Sequence, residues 1–264
     1  MIFRQSSDVL NKSSGGVDLI IAALALPPET RVDQRMPKKL LVENGAPTAA
    51  DKRQINEGIE ELLWLAALKP TTIGVPEYRD DVREYLEIAL LSLTLRPDAK
   101  AGRLVELIHR AIPYPLLLLA AQSNHLTLSL AHKRWSQGEA GKMVLDDAVT
   151  LCDFVEHAAT AAFLDSLSLT VQPRSHLLML YQGWINCLQA FQAARITGRF
   201  ELSTRSETAA ARREALAEYD RLVRQIAALR AQAERESQIS RRVDLNMEIK
   251  RLEAEMAEAI NRME

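Results

Sequence analysis

Residues 84–131 read EYLEIALLSLTLRPDAKAGRLVELIHRAIPYPLLLLAAQSNHLTLSLA, and this stretch decides the fold class. Glu84 to Leu95 is dense in apolar residues and partly alternating, with Leu86, Ile88 and Leu90 pointing one way, as a central strand requires. Arg96-Pro97-Asp98 turns the chain, and Ala101 to Ala111 follows with the helical spacing Leu104, Leu107, Ile108. Pro113 and Pro115 set up the run Leu116 to Ala121, too short for a buried helix and of strand length. After a turn at Ser123-Asn124, Leu126 to Ala131 alternates with Leu126, Leu128 and Leu130 on one face. A β–α–β–β succession of this kind predicts an α+β sheet layer.

Outward from this centre the signals are shorter. Val17 to Leu26 reads as a short helix stopped by Pro27-Pro28, and without a basic flank it is not a signal peptide. Arg31 to Asn44 reads as extended, with Pro37 at an edge or strand start. Thr48 with Asp51 three residues on marks a helix start. Spacing of Ile55, Ile59, Leu62, Leu63 and Ala66 carries that helix to about Leu68, with Pro70 ending it. Asp146 to Ala194 reads as two helices split near Gln172-Pro173, the second from Ser175 to about Ile196 with Thr197-Gly198 as its stop.

Residues 205–264 differ in kind, with no Gly, no Pro and one aromatic residue, Tyr219. Apolar residues recur at alternating spacings of four and three: Leu222, Ile226, Leu229 and Ala233, then Leu245, Ile249, Leu252 and Met256. That is a coiled-coil pattern, interrupted at ERESQISRR (234–242) by a stutter or a hairpin turn. Lacking Gly and Pro, the interruption favours one helix of roughly 80 Å, at 1.5 Å per residue. Such a helix cannot bury its stripe on itself. Leu222, Ile226, Leu229, Leu245, Ile249, Leu252 and Met256 are therefore expected to bind a partner helix, from another protein or from a second copy. The organisation expected is a mixed α/β domain with a small sheet over residues 1–200 and a C-terminal helical coiled coil over 201–264.

The 264 residues carry a net charge of −2, so there is no global attraction to nucleic acid or acidic membranes. Contact with a polyanion needs a local patch. Residues 100–135 supply Lys100, Arg103, Arg110, Lys133 and Arg134 against Glu106 alone, and His132-Lys133-Arg134 abuts Trp135. Cations beside a stacking ring suit phosphate and base contacts. Lys38, Lys39, His109, Arg110, His132, Lys133 and Arg134 are thus the candidate nucleic-acid contacts. The competing reading is a solvated strand end, or ion pairing with the acidic segment 136–170, for instance Asp146 or Asp147.

Catalytic patterns are incomplete. Glu84 and Glu87 with Asp80 and Asp81 could serve a metal-dependent nuclease, but no Glu-x-Lys follows. Histidine and cysteine spacings match no metal site, and Cys152 and Cys187 read as buried reduced thiols. Ser13-Ser14-Gly15-Gly16 lacks the strand and Lys-Ser/Thr of a phosphate loop, and Met1 to Leu10 is mixed and polar. No cofactor is expected, no run reaches transmembrane length, and a cytoplasmic protein is expected.

Several strings in fixed order carry a resemblance: RMPKK (35–39), ADKRQINEGIEELLWLAALKP followed by TTIGV, REYLEI, ELIHRAIPYPLLLL, LSLAHKR, and SRRVDLNMEIKRLEAE. Together they resemble the bacterial family catalogued as domain of unknown function 4391, from about Leu24 to Ile260. The resemblance implies a setting in defence loci, beside a helicase-like ATPase and a DNA methyltransferase, and no assigned reaction. It implies an accessory, non-catalytic subunit of a restriction–modification-like complex that docks one of these partners and contacts DNA. A nuclease subunit active only within the complex is the alternative. The strings centre on Lys38, Lys39, Trp64, Lys69, His109, Pro113, Tyr114, Pro115, His132, Lys133 and Arg134.

Overall fold

The structure, a computed structural model, describes residues 15–203 and 205–263. The readings made on Met1 to Leu10 and on Ser13-Ser14 lie outside the described residues. The chain forms two compact units, residues 1–188 and 189–264. The division falls inside a helix, twelve residues before the boundary expected at 200.

The first unit is built on a six-stranded sheet. Helix α1 (15–24) leads to β1 (Arg31–Arg35), α2 (Lys38–Gly45), α3 (Ala49–Gly58), β2 (Ile59–Leu68) and a single turn, α4 (Pro70–Ile73). A small hairpin, β3 (Tyr78–Arg79) with β4 (Glu84–Tyr85), precedes the central β5 (Ile88–Leu95), α5 (Ala101–Ala111), β6 (Leu116–Gln122) and β7 (His125–Leu130). A second small hairpin, β8 (Lys133–Trp135) with β9 (Met143–Leu145), is followed by β10 (Thr150–Phe154), α6 (Thr160–Ser166) and α7 (Leu177–Thr197). Sheet order is β1-β2-β5-β6-β7-β10, with β5 and β6 parallel and every other pair antiparallel.

The predicted β–α–β–β core is present: α5 crosses over between parallel β5 and β6, and Ser123-Asn124 turns β6 into β7. Leu116, Leu118 and Ala120 pack with α2, α3 and α5 on one face of the sheet, while Leu117 and Leu119 are buried on the other. Burial on both faces is why this strand reads as an unbroken apolar run. Helix α2 approaches α5 closely at Gly45, where an added Cβ would lie 2.5 Å from the Ala111 Cβ and 2.8 Å from the Leu107 carbonyl oxygen. Backbone cannot yield as a side-chain tip can. Gly45→Ala is expected to cost about 1–3 kcal/mol by overpacking, read as a lower urea midpoint with an unchanged slope.

Four readings are corrected. Lys38 to Gly45 is helical, with Pro37 as N-cap, so the extended reading holds only for β1. The helix starting at Thr48 is real, and its cap forms: Thr48 Oγ1 accepts from the Asp51 N–H at 3.1 Å. It ends at Gly58, however, and Ile59–Leu68 is a strand. Register breaks at Ile59/Glu61 and Trp64/Ala66 insert extra residues and destroy the period of two. The buried positions Ile59, Leu62 and Ala66 then fall at helical spacing. Glu84 and Tyr85 pair with β3 rather than extending β5. Residues 150–154, read as helix, are the edge strand β10, whose pairing satisfies the free ladder of β7.

The second unit contains the end of α7, stopped at Gly198 (φ 82°), and two helices, α8 (Ser206–Arg235) and α9 (Ile239–Asn261). They form a hairpin rather than one long helix. Leu222, Ile226, Ile249 and Leu252 are buried together, with Leu229 and Met256 packed against them and Leu245 half-buried. Arg230 pairs across the hairpin with Glu253 at 2.6 Å, and Arg262 with Glu218 at 2.5 Å. At the open end, buried Arg212 donates to the Met263 carbonyl at 3.1 Å and the Glu201 carbonyl at 2.6 Å. The stripe assigned to a partner helix thus closes within the chain.

Candidate functional site

The basic candidates do not form one patch. Lys133, the first residue of β8, is fully buried, and its Nζ donates to the carbonyls of His109 and Ile112. These carbonyls lie at the C-terminal end of α5, where the helix has no intrahelical donor left for them and its dipole favours a cation. Burial pulls the ammonium down to about 7. No phosphate can reach it, so the expected phosphate contact at Lys133 is corrected to a helix cap. His109 is equally interior, with Nε2 2.9 Å from Ser129 Oγ. Burial first, and the neighbouring Lys133 second, push its imidazole down to about 3.

Arg134 takes the competing reading. Its Nε lies 3.3 Å from Asp146 Oδ1, and Arg83 Nε donates to Asp146 Oδ2 at 2.9 Å, so one carboxylate of the acidic segment holds two guanidinium groups. Arg110 pairs with Glu106 at 2.5 Å and Lys39 with Glu43 at 3.6 Å, both on solvent-facing helix surface. Lys38 Nζ donates to the carbonyls of Asn56 (3.1 Å) and Ile59, capping α3 as Lys133 caps α5. Burial is the main cause of its lowered pKa, with Arg96 and Arg35 adding to it.

His132 joins a polar chain that sequence spacing did not disclose. Gln182 Oε1 can only accept, so His132 Nε2 carries the proton and donates to it at 2.8 Å. His132 Nδ1 then accepts from the Tyr85 hydroxyl at 2.5 Å, and Gln182 Nε2 donates onward to Asn186 Oδ1 at 2.8 Å. Burial is the main cause of this imidazole's lowered pKa. Tyr181 meets both rings at a steep angle, 59° to Tyr85 and 66° to His132, and donates to the Leu116 or Ala131 carbonyl, tying α7 to the sheet. Each group has a structural partner, so the arrangement positions helix on sheet.

Asp80, Glu84 and Glu87 are occupied as well. Glu84 pairs with Arg79 and Glu87 with Lys69 at 3.3 Å, and the two lie on different segments rather than on opposite faces of one strand. Asp80 caps its turn, accepting from the Val82 N–H at 2.8 Å. Among the described residues no group of three or more His, Cys, Asp and Glu is placed to hold a metal ion. Cys152 and Cys187 are free and buried.

The first unit also carries an open apolar feature. Met36, Leu40, Trp64, Leu91, Ile112 and Tyr114 line a half-open groove of about 190 Å³ beside the β1 edge. Leu40 and Tyr114 form its exposed rim, at 44% and 40%. The Trp64 indole N–H is already satisfied by the Ala66 carbonyl at 2.9 Å, so the ring presents only an apolar surface. Trp64 and Tyr114 lie in two of the strings quoted above, RQINEGIEELLWLAALKP and ELIHRAIPYP, but nothing in either string shows that they meet.

Among the described residues no helix is long and apolar enough to cross a membrane. No curated protein and no solved structure matches the chain. Residues 24–256 match the family model described as Domain of unknown function (DUF4391), and the chain belongs to that family.

Proposed function

We propose that this protein is a non-catalytic accessory subunit of a cytoplasmic, restriction–modification-like defence complex in bacteria. Its groove at Leu40, Trp64 and Tyr114 receives a side chain of the helicase-like ATPase or DNA methyltransferase that the family resemblance implies. The observation that carries the reading is the contrast within one domain. Charged candidates are spent on caps and ion pairs, while an apolar groove with an exposed rim is left uncovered. Open apolar concavities of this kind mark protein contacts, and a few buried anchors dominate such interfaces. Of the hairpin residues first expected to dock the partner, Leu222, Ile226, Leu229, Ile249, Leu252 and Met256 pack in the hairpin seam, and Leu245 is half-buried.

The test uses the tagged full-length protein purified from its native locus. Leu40→Asp places a charge on the exposed rim without touching the core beneath. It is expected to weaken partner capture by about 2 kcal/mol, roughly 30-fold, with an unchanged melting temperature. Partner recovery at the wild-type ratio from the Leu40→Asp protein would remove the groove from the interface.

A further inference from the structure

One wall of the apolar groove is α2, with Leu40 at its rim. The other is the segment that leaves α5, Ile112 to Tyr114, and Trp64 and Leu91 of the sheet lie beneath. The two walls meet at Gly45, where α2 has no room to move toward Ala111. How far they part at the mouth is therefore set by where residues 112–114 lie. That segment has little to hold itself with, because neither Pro113 nor Pro115 has an N–H to give. At its start the Ile112 N–H donates to the Ile108 carbonyl at 3.1 Å, and beyond its end the Pro115 carbonyl accepts from the Ala89 N–H at 2.9 Å. Between these anchors, among the described residues, Lys133 is the one side chain that bonds a carbonyl of 112–114. Its ammonium reaches Ile112 and, three residues back, His109 from inside the molecule, without lining the groove.

We propose that Lys133 is a positioning residue for the groove: it fixes the Ile112–Tyr114 wall from behind and so sets the width of the mouth between Leu40 and Tyr114. This inference deepens, and rests on, the reading of the groove as the partner's site. A buried carbonyl without a donor is costly, so in the absence of the ammonium the Ile112 carbonyl turns toward water. The ring of Pro113 fixes its own φ and passes that rotation on to Tyr114, so the wall moves as a piece. Ile112, buried at the base of the wall, moves with it, and Trp64 on the groove floor registers the change.

The test uses the full chain labelled with 5-fluorotryptophan, which gives one fluorine resonance each for Trp64, Trp135 and Trp184. Lys133→Met keeps the reach of the side chain and removes the donor. It is expected to shift and broaden the Trp64 resonance. The resonance of Trp184, which is buried and donates to the Leu167 carbonyl at 2.9 Å, is expected to stay, whereas a general loosening of the core would move both. Partner capture from the native locus is expected to fall about tenfold in the same variant. Tyr114→Ala, on the exposed rim, runs the coupling in reverse and needs no variant of Lys133 to fold. At a pH below about 7, where Lys133 is charged, its ammonium protons are then expected to exchange faster than in wild type, by about tenfold. An unmoved Trp64 resonance in Lys133→Met, equal shifts at Trp64 and Trp184, or unchanged ammonium exchange in Tyr114→Ala would each overturn the inference. A shifted Trp64 with partner recovery at the wild-type ratio upholds Lys133 as the support of the wall and counts against the docking reading alone.

Discussion

Lys133→Ala is expected to lower the stability of the first unit by about 3 kcal/mol, combining a cavity with two buried carbonyls left without a donor. It should leave the salt dependence of any DNA binding by an assembled complex unchanged. A phosphate contact would instead reduce the slope of log affinity against log salt by about 0.9. Burial of Lys133 and its bonds to His109 and Ile112 decide between the two outcomes. Arg134→Ala separates the neighbours. It leaves Asp146 still held by Arg83, so its cost is expected to be under about 1 kcal/mol. Urea denaturation of both variants checks the pair, and near-wild-type stability of Lys133→Ala would show that the cap is dispensable.

The same lysine gives a pH dependence whose sign follows from its direction of shift. Its folded pKa of about 7 lies below the ordinary 10.5, so between these values the unfolded chain binds the extra proton. Stability therefore rises with pH across that window, and the rise is absent from Lys133→Met. His109, pushed to about 3 from 6.5, acts in the same sense lower down: stability falls as pH drops through 6.5 toward 3. Urea midpoints at about pH 7 and about pH 9.5, for wild type and Lys133→Met, isolate the lysine. Equal increments in both proteins would mean that Lys133 titrates near its ordinary value.

Sequence carried the sheet centre well and its edges poorly, for identifiable reasons. Helix α5 is bounded as expected because Pro97 and Pro113 flank a clean 3.6-residue pattern. Strand β2 was hidden because its bulges imitate helical spacing, and β10 because its strand state depends on pairing with β7 residues twenty or more positions away. Lys133 was misread because alternation does not survive the break at Ala131-His132. The inward parity of Leu126, Leu128 and Leu130 predicts an outward Lys133, whereas β8 begins anew with Lys133 inward. The groove was out of reach because Met36, Trp64 and Tyr114 come together only through pairing of β1 on β2 and packing of α5. At the C-terminus, the absence of Gly and Pro was a poor guide. Glu236 (φ −78°, ψ 120°) and Gln238 (φ −83°, ψ 116°) turn the chain in the extended region, which any residue adopts.

Changing Leu245, Ile249 and Leu252 together to Lys is therefore expected to unfold the hairpin, not merely to release a partner. Ile249 and Leu252 are buried against Leu222 and Ile226, and each apolar-to-charged change in such a seam costs about 3 kcal/mol or more. An isolated helix of this length with charges along its seam has no packing left to hold it, since most helical stability in proteins comes from the buried face. Hydrogen exchange resolves the effect by place. Amides of α8 and α9 are expected to lose protection by a factor of at least about 100, while those of β5, β6 and β7 keep theirs. The companion variant, Ile239→Lys with Met247→Lys, changes two residues outside the seam and is expected to leave that protection intact. Had the stripe belonged to one long helix seeking a partner, the isolated chain would show the reverse: the triple change would leave amide protection as it was. Unchanged exchange in α8 and α9 after the triple change would therefore refute the hairpin seam.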